Sequence, residues 1–234
     1  MALPRIDTPK YQLELPSTGE KINYRPFLVK EQKIIMLAQE SKDNKQITKA
    51  MSDLVKSCTF DKVDAENSPI FDIEYIFLKV RSKSVGETVD INLICPDDQV
   101  TQVPVKINLD DIDIQITEDH TKEIKITENV KLHLKYPILS DMESITGDNS
   151  VTGYFEVFNK IIERIHYGDD VYHRVDMTDD DIEEFIDQLN SEQFERITDF
   201  FNTMPKLRHV VEITNPKTQV KSEVALEGLS SFLG

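Results

Sequence analysis

INLICPDDQVTQVPVKINLDDI, residues 91–112, is the stretch on which the fold turns. Ile91 and Leu93 alternate with polar neighbours, and Val103, Val105 and Ile107 do the same beyond a loop of about five residues centred on Pro96-Asp97-Asp98-Gln99. Alternation of period two on both sides of a Pro-containing turn predicts a β-hairpin rather than a strand followed by a crossover helix. A second stretch, VEITNPKTQVKSEVALEGL at 211–229, follows the same order. Pro216 matches Pro96, Gln219 matches Gln99, Val220 matches Val100, and one residue is skipped before Leu226 meets Ile107. Two readings stay open: any two hairpins look alike, or a hairpin unit is duplicated with both copies in one sheet.

Working outward, the other segments divide between hairpins and helices. YQLEL (11–15) and KINYRPF (21–27) flank the turn PSTGE and form a first hairpin ended by Pro26. KEIKITENVKLHLKYP (122–137) alternates on both sides of Glu128-Asn129 as another hairpin. The 3.6-residue period predicts helices from Val29, with Ile34, Ile35, Leu37 and Ala38 on one buried face, and over about 43–57. Residues 68–84, with Ser68 as N-cap and Pro69 at the first helical position, carry apolar side chains on nearly every side and predict a central helix. A long helix is expected from Val151 to His166. Two acidic helices follow, capped by Thr178 and Ser191. Hairpins separated by helix pairs define an α+β fold of antiparallel β-hairpins packed with helices. The expected segments are 1–85, 86–137 and 138–234, forming one compact or two-lobed body.

Charge is unevenly distributed. The formal net charge is −16 over 234 residues, yet residues 1–60 carry ten Lys/Arg against seven Asp/Glu. An acidic body disfavours nucleic acid and anionic lipid, because phosphate neutralisation needs clustered cations. It suits basic protein partners or simple solubility. No run of 18 apolar residues predicts a membrane span, and the opening residues lack the pattern of a signal peptide. Two cysteines, Cys58 and Cys95, cannot build a disulfide framework, which points to a reducing cytoplasm.

Reactive constellations are missing from the pattern. Seven glycines form no phosphate loop and no dinucleotide fingerprint. The five histidines, His120, His133, His166, His173 and His209, make no His-Glu-x-x-His pair. Cys58 ends a helix, where the dipole raises a thiol pKa. Cys95-Pro96 looks like half of a zinc knuckle, but Asp98, Asn215 and Thr218 occupy the other three positions, so no structural metal and no cofactor is predicted. The acidic runs read as solvated faces, since LDDIDIQITED lacks the central glycine of a calcium loop. The chain is therefore expected to act by binding protein and not as an enzyme. Weaker alternatives are an acidic adaptor or chaperone using helices within 178–202, and a hydrolase using scattered carboxylates.

RPFLVKEQKIIMLAQES (25–41), LICPDDQVTQVPVKINL (93–109) and ALEGLSSFL (225–233) resemble the baseplate hub subunit family of T-even-type contractile-tailed bacteriophages. Arg25, Pro26, Phe27, Lys30, Glu31 and Gln32 are the most specific part of the resemblance. It implies a hub component or hub assembly factor, present in the host cytoplasm during assembly or in the virion tail baseplate. Its implied partners are other baseplate hub proteins, with self-association left open. The candidate contact residues are Tyr24, Arg25, Phe27, Lys30, Glu31 and Lys33, together with the apolar tail Leu226, Leu229, Phe232 and Leu233. A tail of that apolarity is expected either to dock internally or to enter a partner.

Overall fold

The structure, a computed structural model, describes residues 6–41, 43–144 and 151–232. It is α+β, with antiparallel sheets of two to four strands and six α-helices among the described residues. The chain forms two compact units. One comprises Met1–Gln115 and Lys206–Gly234, the other Ile116–Pro205. The boundaries at 85 and 137 expected from sequence do not coincide with these units, because 206–234 returns to the unit that holds 86–115.

In the first unit, β1 (Tyr11–Glu14) pairs with β2 (Lys21–Tyr24), setting Leu13 opposite Ile22. Leu13, Leu15, Ile22 and Tyr24 are buried, as period-two alternation requires of a sheet with one wet face. Helix α1 (Val29–Ser41) leads to α2 (Asn44–Cys58), whose N-cap Asp43 accepts a hydrogen bond from the Lys45 amide at 3.0 Å. Helix α3 (Ile70–Val85) is the predicted central helix: Phe71, Ile73, Ile76, Leu78 and Val80 are all at most 2% exposed. Its cap differs from expectation. Pro69 sits at the N-cap without a side-chain bond, and the Ser68 hydroxyl instead donates to the Asp64 carbonyl at 2.7 Å, closing the preceding turn.

Strands β3 (Thr88–Ile94) and β4 (Gln102–Asn108) form the hairpin read from residues 91–112, with Ile91 opposite Val105. After β5 (Asp113–Gln115) the chain leaves this unit, and it re-enters as β10 (Lys206–Thr214) and β11 (Lys221–Glu227). The two hairpins share a turn but not a sheet. β3 and β4 stand alone, while β10 lies between β11 and β5. A common sheet for both copies is thus corrected, yet the turns are the same device. The Gln99 amide donates to the Cys95 carbonyl and the Gln219 amide to the Asn215 carbonyl, both at 2.9 Å, with φ of 55° and 62° at the two glutamines. The first hairpin repeats it: the Gly19 amide donates to the Leu15 carbonyl at 2.8 Å, with φ of 70°. Each turn carries Pro at its second position, where a φ near −65° is needed, and a left-handed residue three places later. Gly19 adopts that conformation freely, whereas a glutamine there costs about 1 kcal/mol.

In the second unit, β6 (Glu123–Lys125), β7 (Val130–Leu134), β8 (Ile162–Tyr167) and β9 (Asp170–His173) form one antiparallel sheet in that order. Helices α4 (Val151–Ile161), α5 (Asp179–Asp187) and α6 (Ser191–Thr203) supply the rest of a core that includes Leu132, Leu134, Phe158, Ile161, Ile182, Ile197 and Phe200. The helix expected over 151–166 stops at Ile161. Ile162 and Ile165 are β-branched and pair opposite Leu134 and Leu132, so cross-strand packing overrides the helical period. A bulge after His133 absorbs the extra residue, Glu163. Thr178 caps α5 as expected, with a reciprocal bond from its own amide to Asp181 at 2.8 Å. The cap of α6 is Asn190, not Ser191, because the Asn190 carboxamide reaches the Gln193 amide at 2.9 Å. Among the described residues no helix is long and apolar enough to cross a membrane.

Candidate functional site

The stretch from Tyr24 to Ser41 divides into an interior half and an exposed half. Arg25 enters the protein. Its guanidinium donates to Glu31 at 2.9 Å, to the Ser57 hydroxyl at 2.8 Å and to the Pro26 carbonyl at 2.9 Å. The side chains of Arg25 and Glu31 are 11% and 7% exposed. The second oxygen of Glu31 accepts the Leu28 amide at 2.7 Å. Glu31 is the third residue of α1, so it satisfies the N–H that precedes the helix while it neutralises Arg25. Burial raises the Glu31 pKa, but the bonds from Arg25 and Leu28 outweigh it and hold the carboxyl below its ordinary value. Tyr24, Arg25 and Glu31 are therefore buried supports, of which only Glu31 reaches the wall of the groove between α1 and the next helix. The charged pair that looked like recognition chemistry in the sequence anchors the helix.

That pKa shift has a sign that can be measured. A carboxyl with a folded pKa below its ordinary value of 4.5 contributes stability that is complete above that pH. The contribution disappears as pH falls through the folded value. The stability difference between the native chain and Glu31→Gln is expected to shrink steadily as pH drops below 4.5. A difference that stays constant down to the acid transition would show that the carboxylate is not the stabilising form.

The exposed half is what remains of α1. Val29 is 81% exposed, Met36 54%, Leu37 55% and Ile34 51%, while among the described helix residues only Glu31 and Ala38 are buried. Of the buried face expected for Ile34, Ile35, Leu37 and Ala38, Ala38 is buried and Ile35 half-buried, while Ile34 and Leu37 are exposed. The helix packs chiefly on α2, and four consecutive apolar residues, Ile34 to Leu37, are too broad a stripe for one neighbour to cover. Between α1 and α2 lies a groove floored by Ile34, Leu37, Ala50 and Leu54. Its deeper part, about 220 Å³, is lined also by Lys30, Glu31, Asp53 and Ser57, and Lys49 lines its continuation. Lys30, Lys33, Lys45, Lys49 and Lys56 are all exposed on these two helices. Phe27 is half-buried, and its amide donates to the Ser84 hydroxyl at 2.9 Å.

The tail resolves the other way. Leu226, Leu229 and Phe232 are 7%, 5% and 0% exposed, and the Leu229 amide donates to Glu74 on α3 at 3.1 Å. Burial pushes the Glu74 carboxyl above its ordinary value, against the lowering effect of that bond. These three side chains dock internally and present no surface to a partner. Leu233 lies outside the described residues.

The hairpin tips give a third cluster. Asp97 accepts both hydrogen bonds of the Asn215 amide group at 3.0 Å and the Thr218 hydroxyl at 2.5 Å. Asn215 is 1% exposed, and its oxygen takes the Lys217 amide at 2.9 Å. Asp98 holds the Thr101 amide and hydroxyl at 2.9 and 2.6 Å. Of the positions compared with a zinc knuckle, Asn215 and Thr218 are bound to Asp97, and Asp98 is bound to Thr101, so their polar groups are already engaged. Cys95 is buried, and burial raises its thiol pKa. Cys58 is buried too, its thiol pushed up to about 11 by burial, so both sulfurs are protonated at neutral pH. Asp97→Ala is expected to free the 215–220 turn and speed amide exchange there, with β10 and β11 unchanged. Unaltered exchange at the turn would remove Asp97 as the link between the tips.

Sequence spacing alone did not bring His133 and His166 together. They occupy neighbouring strands with ring centroids 4.8 Å apart, and His133 Nε2 lies 3.1 Å from Glu123. Desolvation, then the Arg164 cation, lowers the His133 pKa. Among the described residues no group of three or more His, Cys, Asp or Glu side chains is arranged to hold a metal ion.

The first unit thus exposes a lysine-rimmed apolar groove between two helices of a small α+β chain. Residues 8–234 match the family described as T4 bacteriophage base plate protein. The chain belongs to that family and is a structural protein of the phage tail baseplate. No curated protein and no solved structure matches it.

Proposed function

We propose that this chain is a non-enzymatic protein of the baseplate hub, either a hub component or a factor that assembles the hub in the host cytoplasm. It acts on other hub proteins through the outer face of α1 and α2, with Phe27, Lys30 and Lys33 beside the apolar residues of α1. One observation carries this reading. The helix exposes Val29, Ile34, Met36 and Leu37 although the Arg25–Glu31 pair beneath it is internally satisfied. Exposed apolar area of this kind on a rigidly anchored helix is the usual basis of helix-in-groove contacts.

Lys30 and Lys33 are exposed, and the Arg25–Glu31 bond remains when both are reversed to glutamate, so the chain is expected to stay folded, which circular dichroism checks. Phage carrying Lys30→Glu with Lys33→Glu is expected to stall before hub completion, with the variant chain accumulating soluble and folded. Normal tail yields would remove this face from the assembly contact. Mass spectrometry of finished particles against intermediates separates the two roles: a component is present in both, an assembly factor in intermediates only.

A further inference from the structure

The second unit carries a surface that complements the α1–α2 groove. Phe155 of α4 and Phe194 of α6 stack with ring centroids 5.2 Å apart, and with Leu189 they line an open depression of about 550 Å³. Asp187 and Glu195 line the same depression, both exposed. The helices around it are strongly acidic: α5 reads DDDIEEFID and α6 adds Glu192, Glu195 and Asp199 against the lone cation Arg196. Arg196 is itself engaged with Glu192 at 2.7 Å and with the Lys125 carbonyl at 2.9 Å. The groove on the first unit has the opposite rim: Lys30 and Lys49 line it, Asp53 is its exposed carboxylate, and its other carboxylate, Glu31, is buried and paired with Arg25.

We infer that the groove between α1 and α2 of one copy receives the Phe155–Phe194 patch of a second copy of this chain. The inference rests on the reading of the α1–α2 face as a contact surface and names its occupant. Apolar floor meets aromatic patch, which supplies the area removed from water. Lysine rim meets acidic rim, which orients the encounter and rejects groove-to-groove and patch-to-patch pairing through like charge. The two patches are different surfaces, so the contact is heterologous: each copy offers one groove and one patch, and such contacts continue into a closed ring or an open filament.

The test is sedimentation velocity of the purified full-length chain over a concentration series. Mass is expected to rise with concentration and fall as salt screens the rims. Leu37→Asp, at an exposed position, is expected to weaken association at least tenfold, equivalent to about 1.4 kcal/mol. Lys30→Glu with Lys49→Glu in one chain, and Asp187→Lys with Glu195→Lys in another, should each abolish self-association. An equimolar mixture of these two variants should associate again, because each then meets an opposite rim. Circular dichroism and thermal melting establish that every variant is folded. A chain that stays monomeric throughout overturns the inference, as does association untouched by either charge reversal, or a failure of the mixture to recover. Monomeric protein together with stalled hubs in Lys30→Glu, Lys33→Glu phage would overturn the second-copy occupant and leave the hub reading intact. Recovered association with normal tail yields would do the reverse.

Discussion

Arg25→Ala is expected to cost about 3 kcal/mol of folding stability, the low end of what breaking a buried ion pair costs. The loss is not mainly the lost attraction. Without the guanidinium, the Glu31 carboxylate, 7% exposed, keeps only the Ser57 hydroxyl at 3.1 Å, the Leu28 amide and the outlying Lys30 ammonium at 3.4 Å. Desolvation of a poorly compensated charge then dominates. Lys30 offsets part of the penalty, which places the effect at the lower limit. Removing both charges separates the causes: Arg25→Met with Glu31→Leu should be more stable than Arg25→Ala alone, because no orphaned carboxylate remains. The double variant still gives up the bond to the Leu28 amide, worth about 1 kcal/mol, so full recovery is not expected. Urea denaturation midpoints measure all three chains. If Arg25→Ala unfolds at the native midpoint, the pair is not the anchor of α1.

Phe232→Ala is expected to cost about 3–5 kcal/mol, the range for truncating a buried phenylalanine. Phe232 is 0% exposed, in a short 3-10 turn over Leu229–Phe232 that follows the left-handed Gly228. The turn is tied to α3 through the Leu229–Glu74 bond, so a cavity there is poorly placed to collapse. An arm that waited for a partner would behave oppositely, with stability unchanged and assembly impaired. Ile34→Ala is the control at an exposed apolar site and should shift stability by no more than about 0.5 kcal/mol. Equal effects at Ile34 and Phe232 would contradict the internal docking of the tail.

The hairpins at 11–24, 88–108 and 208–227 were legible because period-two alternation and a Pro-containing turn are local signals, whereas the β8–β9 pair was not. Residues 91–108 and 206–227 pair as their patterns required. The third copy of the turn, Leu15 to Gly19, was readable by the same Pro spacing but is masked by a different residue at the left-handed position, Gly19 where the others have glutamine. The end of α4 was not legible, because Ile161, Ile162 and Ile165 satisfy both a helical stripe and a strand, and only pairing with β7 decides between them. Of the candidate contact residues, Lys30 and Lys33 are exposed and Phe27 is half-buried, while Tyr24, Arg25 and Glu31 are buried.

By itself the sequence determined the α+β class, the order of hairpins and helices apart from the β8–β9 pair, the acidic body with its basic opening, and the family resemblance. These follow from periodicity, turn chemistry and composition, which act over a few residues at a time. Tertiary structure alone decided that residues 206–234 return to the unit of 1–115, that Arg25 and Glu31 face inward, and that the tail is covered. It also decided which apolar residues of α1 stay in water. A side chain's exposure depends on what distant segments bring against it, and no local pattern records that.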